Sequence, residues 1–335
     1  MALTIGRAVG NLCVLSLLLG SVPVPDASAG ESHLELVRTI ALPGISGRID
    51  HMTIDAAGKR LFVAALASNS VLVVDLEGGS IAGRIAGVTE PQGVAYLSGA
   101  GQVAVSSGGD GSCRFYDAQT LREISSADFR SDADNLRFDE TQGKLYVGFG
   151  SGGIGIIDVK TGTRLADIPL TSHPEAFEME SLGSRAFVNL PATSSVAVVD
   201  RDKHNVLASW ALPAHCENFP MALDQRHHRL FVGCRNPPQV VVLDTESGAT
   251  IASFDCVADV DDLFLDGDTG LLYASGGEGF LDVFAPDGKG WRRSQRIVTS
   301  ARSRTSLLAP ASKRLYLAIP SRGSQPAEIR VYEPR

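Results

Sequence analysis

The chain has no amphipathic stretch long enough for a core helix, no apolar run of the roughly 20 residues that a membrane-spanning helix needs, and no CxxC or CxxCH motif. These absences exclude a helical bundle, thioredoxin-type exchange and covalent haem c. A GxSxG elbow is missing too, as is any strand-to-helix setting in which a glycine-rich loop could cradle phosphate, so a serine-hydrolase triad is not expected. Positive charge is in deficit: 30 Lys plus Arg face 38 Asp plus Glu, a net charge of −8, and no nucleic-acid partner is expected. Aromatic residues are sparse at 6%, whereas 35 glycines in 335 residues, about one in ten, call for many tight turns.

The first residues read as a leader. Arg7 precedes an apolar stretch from Ala8 to Gly20, and Ala27-Ser28-Ala29 has the small-x-small form of a signal-peptidase site. Residues 1–29 therefore read as a cleaved signal peptide, and 30–335 as one domain. Cys13 lies in the apolar stretch without a lipoprotein box before it. Export implies a periplasmic or secreted protein with no membrane span after cleavage, expected to be a monomer.

Repeats set the architecture. Leu61-Phe62-Val63, Val103-Ala104-Val105, Leu145-Tyr146-Val147, Ala186-Phe187-Val188, Leu230-Phe231-Val232, Leu272-Tyr273-Ala274 and Leu315-Tyr316-Leu317 begin 42, 42, 41, 44, 42 and 43 residues apart. About a dozen residues later an acid closes an apolar pair, at Asp75, Asp117, Asp158, Asp200 and Asp244, and turn residues follow. Such recurrence suits turn capping rather than chemistry. Four short strands per unit of about 42 residues, seven times over, predict an all-β seven-bladed propeller. The last repeat stops after its third strand at Tyr332, and an orphan strand, Leu34–Ile40, precedes the first. That N-terminal strand is expected to complete the last blade and close the ring.

Pro91-Gln92-Gly93-Val94-Ala95, Lys59-Arg60-Leu61-Phe62-Val63-Ala64 and Val73-Val74-Asp75 carry a resemblance to the YVTN repeat of exported propellers. Asn218-Phe219-Pro220-Met221-Ala222-Leu223-Asp224 and Leu230-Phe231-Val232-Gly233-Cys234-Arg235 are similar to segments of the YncE-like group. The resemblance implies an exported seven-bladed propeller and no defined reaction, because the repeat is scaffold sequence. The WD-repeat signature is absent.

Function is sought where the repeats differ. Eleven residues before each triplet, where the inner strand enters its blade, stand Asp50, Gln92, Asp134, Glu175, Phe219, Asp261 and Arg304. His51, Asn135 and Asp262 follow; Arg48, Glu90, Asp132, His173, Glu217, Asn218, Asp259 and Arg302 lie just before. Equivalent positions meet around one axis, so one face is expected to carry a polar, mainly acidic funnel, with Arg235 reaching toward it from a loop. Crowded carboxylates need a counter-charge. Asp50, Asp134, Glu175 and Asp261 form one candidate set for a hard divalent cation such as calcium. His51 and His173 with carboxylates form another, for a transition metal. Arg302 and Arg304 either neutralise the acids or hold an anionic group.

Cys234 ends a second strand, and Cys216 and Cys256 precede successive inner strands. Cys234 is expected to pair with Cys256, with Cys216 the alternative, while Cys113 is expected to be a small buried residue. The first functional reading is a binding module for a small ligand, a cation or another exported protein. A metal-assisted hydrolase or lyase of lactone type is the second, and an accessory subunit of a periplasmic redox enzyme the third.

Overall fold

The computed structural model describes residues 1–2, 33–288 and 290–335; the expected signal peptide from residue 3 on, with its expected cleavage site, lies outside the described residues. Seven four-stranded antiparallel sheets succeed one another along the chain. Their inner strands are Met52–Ile54, Pro91–Leu97, Ala133–Asp139, Phe177–Met179, Asn218–Asp224, Val260–Leu265 and Ser306–Ala309, here blades 1 to 7. Helical structure among the described residues is limited to four single 3₁₀ turns.

The repeated triplets form the second strand of each blade, and its burial explains their apolar run. Leu61, Phe62 and Val63 are wholly buried, because this strand packs on both faces against neighbouring blades. Outer strands alternate instead, as Ser80–Ala86 and Thr163–Pro169 do, since one face meets solvent. The apolar interior is accordingly split into seven clusters, each shared by two adjacent blades. Phe62 packs with Val94 and Val103 of the next blade, and Tyr316 of blade 7 with Leu61 of blade 1. A ring of interfaces therefore stabilises the fold in place of one central core.

Closure follows the expectation. Leu34–Ala41 pairs antiparallel with Glu328–Pro334 as the outer strand of blade 7. Gln295 of blade 6 grips its start: the side-chain oxygen accepts from the His33 and Leu34 amides at 2.8 and 2.9 Å, and its amide donates to the Leu34 carbonyl at 3.0 Å. The strand-closing acids cap turns. Asp117 accepts from the Gln119 and Thr120 amides, Asp158 from Thr161, Asp200 from Asp202 and Lys203, and Asp244 from Glu246 and Ser247.

The disulfide joins Cys234 to Cys216, with the Cα atoms 4.8 Å apart, rather than to Cys256. Cys234 pairs in register with Asn218 on the inner strand of its own blade, and the carbonyl of Cys216, two residues earlier, accepts the Arg235 amide at 2.9 Å. Cys256 follows the outer strand Thr250–Asp255, two strand spacings from Cys234, or about 10 Å. That is beyond disulfide reach. Cys256 stays a buried free thiol, pushed by burial up to about 12, and Cys113 is likewise free and buried.

Candidate functional site: an asymmetric channel mouth

The same backbone device delivers side chains to one end of the ring in most blades. Glu90, Asp132, Glu217, Asp259 and Arg302, each two residues before the inner funnel position, adopt left-handed φ values of 49°, 31°, 47°, 52° and 69°. Non-glycine residues rarely adopt this conformation, and here hydrogen bonds hold it. The carbonyls of Glu90, Asp132 and Asp259 accept the amides of Gly108, Gly150 and Gly277, in the loops between second and third strands, at 3.0, 3.0 and 2.9 Å. Those loops therefore lie at the same face, and the kinked residue sends its side chain to the rim.

Inside the rim is a cavity of about 340 Å³. Asp50, His51, Gln92, Asp134, Asn135, His173, Glu175, Phe219, Arg235, Asp261 and Arg304 line it, joined by Arg48 and Asp132. His51 and Asn135 also face a second cavity of about 310 Å³ bounded by the inner strands, where Asp262 is found. Asp262 accepts the Ser306 amide at 2.7 Å, and burial pushes its carboxyl up to about 7 against the pull of His51.

Besides Asp262, several residues expected in the funnel lie outside this cavity, and Asp259, one of them, lines a neighbouring cavity with Arg302 and Arg304. Glu90 and Arg302 are exposed on the rim, outside this cavity. Asn218 is buried in the seam between blades 4 and 5, donating to the Asn189 side chain at 2.8 Å and the Ser195 carbonyl at 2.9 Å. It occupies the residue just before the funnel position, and strand alternation turns it into the seam while Phe219 faces the channel.

The mouth divides into two electrostatic halves. Across blades 6, 7 and 1 the cavity acids Asp261 and Asp50 and the rim acid Asp259 each have an arginine. Arg235 is paired with Asp261 and lies 3.4 Å from Asp259; Arg304 reaches both acids at 2.9 Å; Arg48 meets Asp50 at 2.7 Å. Arg235 is further fixed over the Phe219 ring, 3.4 Å from its centroid, a cation–π contact. Asp50 is pushed by burial up to about 6, with His51 and Arg48 pulling the other way. Burial opposes a charged His51, yet Asp50 and then Asp262 raise its pKa overall.

Blades 2 to 4 have no arginine in the cavity. Asp132, Asp134 and Glu175 share His173 as their one basic neighbour there. Gln92 holds Asp132 through an amide hydrogen bond of 2.8 Å. The backbone under Asp134 is pinned by Ser106, whose hydroxyl donates to the Asp134 carbonyl and accepts the Gly93 amide at 2.9 Å. A side chain at Gly93 would collide with that carbonyl, which is why the close approach uses glycine.

His173 contacts the Gly150 carbonyl through Nδ1 at 2.6 Å, so Nδ1 carries a proton and Nε2 faces Asp132 and Asp134 at 3.8 and 3.9 Å. Asp134 foremost raises its pKa to about 9, against burial. Glu175 is pushed by burial, and next by Asp134, up to about 8, with His173 pulling down.

The candidate metal set differs from the expected one. Asp50 and Asp261 are engaged by arginines, which removes them from the four-carboxylate set, whereas Asp134, His173 and Glu175 bring one ligand atom each within 4.8 Å of the others. Ligand atoms about a tetrahedral transition metal stand roughly 3.4 Å apart, so closure needs side-chain shifts of about 1 Å. Two buried oxygens beside the group have no hydrogen-bond partner: Asp134 Oδ1, and Asn135 Oδ1 on a side chain lining the same cavity. Asn135 is 2% exposed. Counting along the repeat reached these residues; it gave no signal for Ser106 or the Gly150 carbonyl, which act across blades.

No family model matches the sequence, nor does any curated protein. Among solved structures, a chain of the "Crystal Structure of Mitotic Checkpoint Complex" superposes with a TM-score of 0.77 at 15% identity, covering 97% of this chain and 98% of that one. At that identity the likeness is one of fold, and it agrees with the sheet topology: the chain is a seven-bladed β-propeller. Propellers commonly serve as interaction scaffolds, and no helix among the described residues is long and apolar enough to cross a membrane.

Proposed function

We propose that the protein is an exported propeller of YVTN type, periplasmic or secreted after loss of residues 1–29, and that it works as a binding module. Its funnel takes a divalent cation in the half formed by blades 3 and 4. The observation carrying this reading is the Asp134–His173–Glu175 group, which has no arginine ion pair, whereas Asp50, Asp259 and Asp261 do. Nδ1 of His173 is committed to Gly150, which leaves Nε2 as the ligating atom. One imidazole nitrogen with two carboxylates suits zinc or manganese better than calcium, which prefers an all-oxygen shell. The Cys216–Cys234 disulfide supports an oxidising compartment.

Titration calorimetry of metal-stripped protein with Zn²⁺, Mn²⁺ and Ca²⁺ tests the reading. One Zn²⁺ or Mn²⁺ per chain is expected, with proton release, and affinity falls at least tenfold in His173→Ala and Glu175→Gln. Absence of binding, or equal binding by both variants, overturns it. A three-ligand set also leaves a coordination position open, which favours a metal-assisted hydrolase or lyase as the second reading. Turnover of simple lactones by zinc-loaded protein, lost in the same variants, distinguishes the two.

A further inference from the structure

We propose that the cavity between blades 7 and 1 binds the oxyanion group, carboxylate or phosphate, of a small ligand. The inference goes beyond the cation reading and stands on other residues. At the rim position two residues before the funnel, blades 2, 3, 5 and 6 carry Glu90, Asp132, Glu217 and Asp259, and blade 4 carries His173. Blades 7 and 1, adjacent in the ring, carry Arg302 and Arg48. The same backbone kink that carries acids in blades 2, 3, 5 and 6, at φ 69° in Arg302, here presents a guanidinium.

These arginines border a cavity of about 310 Å³ with Arg304 and Arg322. Asp259 is the single acid in its lining. Arg304 is neutralised by Asp259 and Asp261, and Arg48 by Asp50, but Arg302 and Arg322 have no ion-pair partner among the described residues. Arg322 sits on the loop between the second and third strands of blade 7, held by reciprocal backbone hydrogen bonds with Gln325 of 2.9 Å each. Its side chain therefore starts from a fixed backbone.

Two unpaired guanidiniums on one concave wall, each able to donate two parallel hydrogen bonds, match a planar carboxylate or a phosphate. Because Arg48 and Arg304 line both this cavity and the channel mouth, the anion would lie at the funnel's edge.

Calorimetric titration with inorganic phosphate and, separately, citrate, at low salt on protein stripped of metal and then freed of chelator, tests the site. Wild type is expected to bind at least one of the two, and which one assigns the anion. Arg302→Gln and Arg322→Gln are each expected to weaken it about tenfold, and the double variant about a hundredfold, the loss of charge-assisted hydrogen bonds. Arg226→Gln, on a turn of blade 5, is expected to leave affinity unchanged. The substituted side chains are exposed, so melting temperatures stay at wild type. No binding of either anion to wild type, equal binding by the double variant, or an equal loss in Arg226→Gln overturns the proposal. Prior removal of metal keeps the outcome separate from the cation reading.

Discussion

Glu175→Gln should make the protein more stable at pH 8 while leaving it nearly unchanged at pH 4.5. The wild-type carboxyl, held up at about 8 by burial and by Asp134, keeps its proton when folded, whereas in the unfolded chain it ionises near its ordinary 4.5. Between those values the folded state binds the extra proton, so stability falls as pH rises, by about 1.36 kcal/mol per pH unit, and the loss is complete near pH 8. The full span corresponds to about 5 kcal/mol. The cavity is open to water, and screening is expected to leave roughly half, on the order of 2–3 kcal/mol. Glutamine imitates the protonated acid and titrates in neither state, so it escapes the loss. Urea unfolding of wild type and variant at pH 4.5, 6, 7 and 8 is the assay, and the difference between the two curves reports this carboxyl together with its coupling to Asp134 and His173. A difference that stays flat with pH, or a variant less stable than wild type at pH 8, would refute the electrostatic picture of the blade 3–4 half.

Two further outcomes concern the frame. Removing the Cys216–Cys234 bridge by Cys216→Ala/Cys234→Ala opens a loop with a sequence separation of 18 and should cost about 3 kcal/mol, seen as a lower melting temperature that added reductant no longer changes. Gln295→Ala strands the His33 and Leu34 amides and should destabilise by about 1–3 kcal/mol; limited proteolysis should then cut first at the N-terminal strand, and an unchanged digestion pattern would show that the clamp is idle.

The fold was legible because a propeller repeats its packing problem. Each second strand is buried on both faces, so Leu61-Phe62-Val63 and its counterparts needed the same apolar run seven times, and their spacing revealed the blades. The candidate site was legible to the extent that it follows that register: Asp50, Asp134, Glu175 and Asp261 fall on one column and meet at one cavity. What the register cannot convey is the direction of a side chain next to the column, which is why Asn218 was expected in the mouth and is in a seam. Pairing between columns is equally invisible. Asp261 looked like a metal ligand until Arg235 and Arg304 were seen beside it, and Cys256 looked equivalent to Cys216 although two strand widths separate it from Cys234.

The closure of blade 7 has a consequence for how the ring comes into being. Glu35 and Arg335, joined by a 2.9 Å hydrogen bond, are 300 positions apart, so the first of the described strands to leave a ribosome is the last to find its neighbour. Until Glu328–Pro334 arrives, Leu34–Ala41 is an edge without a mate and blades 7 and 1 cannot share their apolar cluster. The ring is thus a lock whose bolt is made first and thrown last. The arginine-lined cavity straddles that same joint, so it exists only in molecules that have finished folding.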